Sequence, residues 1–310
     1  MPPLTRLAAV ATAALMLTGV TVAPAAQPRA FDYTKVAGLS KPSSRPIERL
    51  KLQVPAADGK LLYVEVVKPK GAGRFPVILE ASPYHGTMAD RDGTRILPDP
   101  QENGRSLGLT GFFAPRGYAV VMMDLRGTGR SQGCLDHLGP KDAKDLKTIV
   151  EWAAAQRWSS GRVGMTGHSY VGSTPMVAAA QKPKGLATIV PSAGLASMYD
   201  HQFQGGVPFY LQYTGPQFAY EVMAINRSLP PGLDNPLGGK SGDNFGNDPA
   251  EVGCGLPQSS LTAGSGQVTG QYEGWHAARD WSMGATAAKI PVFLVHGVND
   301  NAARITAADW

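Results

Sequence analysis

Ser169 lies in the stretch GHSYVG, between Gly167 and Gly172. A serine framed by glycines, after an apolar run and before a helical stretch, fits a nucleophile on a sharp strand-to-helix turn. The common spacing is G-x-S-x-G. Here Val171 takes the place of the second glycine, which comes one residue later. The chemistry of such a turn is acyl transfer. The hydroxyl attacks a carbonyl carbon, and the helix N-terminus offers backbone N–H groups to the developing oxyanion. A serine that only caps a helix gives the same local pattern.

Three further stretches follow apolar runs and end in loop residues. ASPYHG (residues 81–86) is placed to supply a second oxyanion donor, and the Tyr84 hydroxyl is a candidate; Tyr84 as a packed aromatic is the alternative. DLRGTGRSQG (124–133) has the glycines of a phosphate loop but not its Lys-Ser/Thr ending, so Asp124 and Arg126 are expected to brace the site in a tight turn. VHGVNDNA places Asp300 just beyond a strand, and the order serine then aspartate is that of a hydrolase triad. The remaining partner is a histidine, which should come last. The chain has six histidines, and none follows Asp300. His168 adjoins the serine and should point away from it. His296 ends the strand leading to Asp300. His85 has a place from which it could border the pocket, but a substitute base is not the favoured reading of it. His137 is expected to be structural, and His201 and His276 to be packing or surface residues.

These residues need a scaffold. IERLKLQVP and LLYVEVVKP flank Asp58-Gly59 and predict a β-hairpin. FPVILEASPY (75–84) and YAVVMMDLRG (118–127) read as strands buried on both faces, RVGMTG as a short strand, and LATIVPSAG and PVFLVHGVND as further buried strands. Between them, Leu146, Ile149, Val150 and Ala153 predict a helix over 141–156 with Asp142 and Asp145 in its first turn. A second helix is expected directly after Ser169. Alternation of strand and helix means a mostly parallel α/β sheet with helices on both faces. Residues 198–288 are rich in Gly, Pro, Asn, Tyr and Gln and interrupt the alternation. They are expected to be an inserted cap over the carboxyl ends of the strands, between core segments 47–197 and 289–310.

Residues 1–25 read as a secretory signal peptide: Arg6, the apolar run Leu7 to Val22, then Ala23-Pro24-Ala25. The apolar run is shorter than a membrane span needs, so a stable anchor is not expected. Residues 26–46 read as an N-terminal arm. Export makes a disulfide between the two cysteines, Cys134 and Cys254, plausible. The net charge of +5 comes from scattered Lys and Arg, which argues against nucleic acid as a partner. No metal or cofactor is called for. Oligomeric state is not legible.

Taken together, GHSYVG, SPY, DLRGTGRSQG, YEGWHAARDW (272–281) and HGVNDNA resemble, in the same order, the signatures of the X-Pro dipeptidyl-peptidase and cocaine-esterase-like (CocE/NonD) α/β-hydrolases. The resemblance spans roughly residues 45 to 305. It implies an α/β-hydrolase fold with an inserted helical cap. It implies Ser169 as nucleophile, Tyr84 and the Tyr170 backbone N–H as oxyanion donors, and Asp300 as triad acid. The substrate would be a small peptide or an ester, attacked through an acyl-enzyme. X-Pro dipeptidyl-peptidase chemistry is favoured, with a CocE-like carboxylesterase as the alternative. The family also has a further helix, a strand, a histidine loop and a C-terminal β-sandwich, which this sequence lacks. The expectation is an incomplete copy, nearly inactive alone, or a non-catalytic remnant or binding protein.

Overall fold

The structure is a computed structural model, and it describes residues 36–85, 101–102, 105–106, 108–208, 270–284, 288–297 and 300. The predicted signal peptide and most of the predicted cap lie outside the described residues. The chain divides into two compact units, Met1–Leu39 and Ser40–Trp310. Everything below concerns the second.

A hairpin of β1 (Ile47–Pro55) and β2 (Leu61–Pro69) comes first, paired antiparallel. Its turn closes through Ala56 N–H to Lys60 O, with Gly59 at φ +82°. β1 alternates exposed and half-buried residues, as an outer strand should, whereas β2 is buried along nearly all its length. Then come β3 (Phe75–Ser82), the short helix α1 (Gly108–Phe113), β4 (Ala119–Asp124), α2 (Pro140–Ala155), β5 (Ser159–His168), α3 (Tyr170–Ala180) and β6 (Leu186–Ser192).

The six strands run in the order β1-β2-β4-β3-β5-β6. The β4–β3, β3–β5 and β5–β6 pairs are parallel. Bridges from Ile189 to Val292 and from Ser192 to Val295 continue the parallel pattern beyond β6. Val292, Phe293 and Val295 are exposed there, Phe293 by 68%.

The topology decides where a site belongs. From β3 the chain passes to β4 on one side, then crosses to β5 on the other. A crevice opens beyond the carboxyl ends of strands at such a reversal. β3, β4 and β5 end there, at Ser82, Asp124 and His168.

Helices cover both faces. Val67, Val120 and Met122 pack with Ala114, Leu109 and Phe113 on one side. Val77, Leu79, Val121 and Met123 pack with Leu146, Ile149, Val150 and Val177 of α2 and α3 in the main core. α2 starts at Pro140, whose missing N–H costs nothing at a first helical position. α3 (YVGSTPMVAAA) is apolar on all sides and almost wholly buried, as a helix enclosed by protein should be. Pro175 cannot donate to the Val171 carbonyl four residues earlier. The Thr174 hydroxyl lies 3.0 Å from that oxygen and 3.1 Å from Ala81 O, tying the helix to β3.

Beyond β6 the chain leaves the sheet through α4 (Met198–Gln202) and returns through α5 (Gly274–Ala277). Exit and return are fastened together. Ser197 bridges Asp280, and Trp281 N–H donates to Ala196 O at 2.7 Å. Tyr199 donates its hydroxyl to Gly270 O at 2.6 Å. His276 is buried among Tyr199, Phe203, Tyr272 and Trp275. It accepts from Glu273 N–H through Nδ1, which leaves Nε2 to donate to Gln202 Oε1 at 3.2 Å. The intervening chain therefore starts and ends at one neck. Among the described residues no helix is long and apolar enough to cross a membrane.

Candidate active site

Ser169 joins β5 to α3 with φ +61° and ψ −127°. A positive φ is costly for a residue with a side chain, and such strain gathers at functional turns. Hydrogen bonds hold the turn. Ser169 N–H donates to Ser192 O at 2.9 Å, and Gly172 and Ser173 donate to Ser169 O. The flanking glycines have steric reasons. A Cβ on Gly167 would lie 2.3 Å from Val171 Cγ1, and one on Gly172 would lie 2.2 Å from Ser192 O. Helix and strands cross too closely for either side chain. The second glycine is needed opposite Ser192, which is where Gly172 and not Val171 stands.

Tyr84 follows β3, and its hydroxyl lies 3.5 Å from Ser169 Oγ. Among the described residues it is the only side chain bonded to that oxygen. A phenol beside the serine at the carboxyl edge of the sheet can donate to charge that develops on an attached substrate oxygen. Tyr170 is the first residue of α3, so its N–H belongs to the helix N-terminus beside the serine. Its own hydroxyl is buried and accepts from Leu138 N–H at 3.0 Å.

The histidines are placed as follows. His168 Nδ1 bonds to Ser192 Oγ at 3.1 Å and not to Ser169. Burial lowers its pKa, and the nearby charge of Asp300 opposes that. Asp300 is thus within electrostatic reach of the residue before the nucleophile candidate. His137 is buried, and His201 sits in the last turn of α4. Neither ring nitrogen of His296 is hydrogen-bonded among the described residues.

His85, the unfavoured candidate for a substitute base, does not serve Ser169. It is 1% exposed, with Nδ1 3.1 Å from Asp124 Oδ1 and Nε2 3.0 Å from Glu80 Oε1. Burial disfavours its charge, but the two carboxylates outweigh burial and hold the pKa up at about 9. Both nitrogens are engaged, so the ring has none to offer Ser169.

Asp124 and Arg126 brace their turn. Arg126 pairs with Asp145 through two bonds, at 2.6 and 2.8 Å, and reaches Asp58 at 3.0 Å. Cys134, in the same loop, is disulfide-bonded. The only other cysteine in the sequence is Cys254, which lies outside the described residues. Arg279 bonds Asp136 at 2.8 Å, and Trp281 Nε1–H donates to Leu138 O at 2.8 Å. YEGWHAARDW therefore grips the loop that receives Tyr170.

The burial of Asp142 is not foretold by the sequence. Its Oδ2 accepts from Leu138 N–H at 2.8 Å, and its Oδ1 is buried with no hydrogen bond among the described residues. Burial first, then the charge of Asp136, pushes its pKa up to about 8; Asp145 adds to this and Arg126 opposes it. The folded state therefore keeps a proton that the unfolded chain releases near pH 4. Stability should fall as pH rises from about 4 to about 8, by about 1.4 kcal/mol per unit at most. Asp142→Asn should flatten that slope, measured as urea unfolding between pH 5 and pH 8. Parallel curves for the two chains would refute it.

Among the described residues no group of three or more His, Cys, Asp or Glu side chains is arranged to hold a metal ion. The model of the X-Pro dipeptidyl-peptidase (S15) family matches residues 58–310. The chain belongs to that family. A putative Xaa-Pro dipeptidyl-peptidase from Streptomyces avermitilis is 32% identical over 268 residues, covering 78% of this chain and 36% of the relative. Another from Bacillus anthracis is 31% identical, covering 78% and 42%. The chain thus spans about two-fifths of the length of these relatives. A CocE/NonD family hydrolase from Staphylococcus aureus superposes with a TM-score of 0.57 at 23% identity, over 80% of this chain and 43% of that one. The architecture is the α/β-hydrolase fold.

Proposed function

We propose that this S15-family chain carries the nucleophile and oxyanion site of an exported serine hydrolase, of the X-Pro dipeptidyl-peptidase type. The observation that carries the reading is the Tyr84 hydroxyl 3.5 Å from Ser169 Oγ, with Ser169 at φ +61° on the turn into α3. In this reading Ser169 Oγ gives its proton to a base and bonds to the substrate carbonyl carbon, and that proton is the one later passed to the leaving group. The carbonyl electrons move onto oxygen, which Tyr84 Oη and Tyr170 N–H receive. Collapse of this intermediate breaks the C–N or C–O bond, and the leaving amine or alcohol takes up a proton. Water then cleaves the acyl-serine. Asp300 is assigned as the acid that orients a histidine base. Export is supported by the apolar N-terminal stretch, and the Cys134 disulfide suits an oxidising compartment.

A second reading has a specific observation in its favour. None of the six histidines is hydrogen-bonded to Ser169. A serine without a base attacks activated aryl esters far better than amides, since an amide's leaving nitrogen must be protonated. On that ground the chain would act as a weak esterase, or as a non-catalytic relative.

A fluorophosphonate probe and peptide mapping test the nucleophile. The expected result is one slow adduct, on Ser169. Labelling elsewhere, or none after prolonged exposure, would overturn the assignment. Hydrolysis of Ala-Pro-p-nitroanilide against p-nitrophenyl acetate then separates the two readings.

A further inference from the structure

The residue after Tyr84 has no part in the chemistry above, yet both nitrogens of its ring are anchored. His85 reaches back to Glu80, five residues earlier on β3, and sideways to Asp124 at the end of β4. Its ring therefore ties together the carboxyl ends of two adjacent parallel strands. A neutral imidazole has one N–H and could serve only one carboxylate as donor. The doubly protonated ring donates to both.

The anchors are themselves fixed. Asp124 is 0% exposed, and its Oδ2 accepts from Arg130 N–H at 2.8 Å. A Cβ on Gly129 would lie 2.3 Å from that Oδ2 and 3.2 Å from His85 O, so the turn 127–130 closes tightly over the carboxylate and the His85 backbone. On the other side, Tyr84 N–H donates to Ser82 Oγ at 3.0 Å. Tyr84 is thus held between two short tethers, one at its own N–H and one at the next side chain. A tyrosine has two rotatable side-chain bonds, so the place of its hydroxyl follows from where its backbone is held.

We propose that His85 is a positioning residue: clamped between Glu80 and Asp124, it fixes the backbone that aims the Tyr84 hydroxyl at Ser169. The inference rests on the reading of Tyr84 as an oxyanion donor. The same clamp would also support the fold, because removing the cation leaves two buried carboxylates facing one another. The test must therefore separate aiming from folding.

Phenylboronic acid provides it. Ser169 Oγ bonds to boron, the hydroxyl proton leaves to buffer, and the tetrahedral anion carries an oxygen where the oxyanion would lie. This equilibrium needs no histidine. Affinity would be measured at pH 8.5 by titration, with the ¹¹B signal reporting tetrahedral boron. Tyr84→Phe should weaken binding on the order of tenfold or more. His85→Gln should weaken it comparably in the native chain and not further in the Tyr84→Phe background, because both changes remove one contact. Glu80→Gln loosens only one arm of the clamp and serves if His85→Gln does not fold. It should show a smaller loss, again absent in the Tyr84→Phe background. Losses that add in both backgrounds would overturn the positioning role while leaving Tyr84 as donor. No effect of Tyr84→Phe would overturn the donor assignment and the inference with it. A wild-type chain giving no tetrahedral boron would remove the nucleophile itself.

Discussion

Imidazole added to the wild-type chain is expected to speed p-nitrophenyl acetate turnover, and Ser169→Ala is expected to erase that gain. The argument starts from the partners of Ser169 Oγ. Tyr84 is its one side-chain hydrogen-bond partner among the described residues, and none of the six histidines is hydrogen-bonded to it. A positioned general base contributes about 10²–10⁴-fold, which bounds what a diffusing imidazole can restore. In a complete triad, losing the serine costs about as much as losing the histidine, because the two act as one unit. Without imidazole, therefore, wild type and Ser169→Ala should differ little, each retaining what the oxyanion donors supply. Imidazole also cleaves the ester on its own, so the Ser169→Ala chain sets the baseline. A large effect of Ser169→Ala in plain buffer would overturn this picture, since it would require a base already reaching Oγ.

Much of the scaffold is legible in the sequence because it rests on local pattern. The runs at 75–84 and 118–127 are apolar because β3 and β4 are covered on both faces. Leu146, Ile149, Val150 and Ala153 mark the inward face of α2, whose ends fall one residue from the predicted ones. The elbow is legible too, since a positive φ and two close backbone crossings leave Gly167 and Gly172 little freedom. What periodicity does not carry is which strands lie side by side. The passage of β5 to the far side of β3, which creates the crevice, is a property of the whole sheet. The clamp on His85 is hidden for the same reason. Its partners are five and 39 residues away, and only the β3–β4 pairing brings Glu80 and Asp124 to opposite sides of one ring. Asp142 shows the limit differently. An acid in a first helical turn suits the helix dipole, which accounts for its position. Its burial beside Leu138 depends on how the 134–139 loop packs under α3, and no spacing encodes that.

Gly172→Ala is expected to lower the melting temperature steeply and to abolish labelling of Ser169. The added methyl would sit 2.2 Å from Ser192 O and 3.1 Å from Gly167 O. Both obstacles are backbone, so no rotamer change relieves them. From the other direction, a Cβ on Gly194 would meet Gly172 O at 2.4 Å, so α3 is in close contact with the chain leaving β6. Overpacking usually costs about 1–3 kcal/mol where side chains can yield, and here the upper end is the floor. About 3 kcal/mol corresponds to roughly 6–12 °C for a chain of this size class. Gly274→Ala is the matched control. Nothing lies within 4 Å of its Cβ position, and that change should be near neutral. A melting temperature for Gly172→Ala as close to wild type as the control's would refute the steric account. The loss of labelling follows from the same contact. Ser169 N–H is bonded to Ser192 O, the oxygen that the new methyl strikes, so α3 cannot withdraw without pulling on the nucleophile turn. Tyr84 is held separately, in the segment after β3, by its own N–H to Ser82 Oγ and by the His85 ring. The 3.5 Å approach between Tyr84 and Ser169 is therefore set from two sides, by the glycine contact beneath α3 and by the tethered segment after β3.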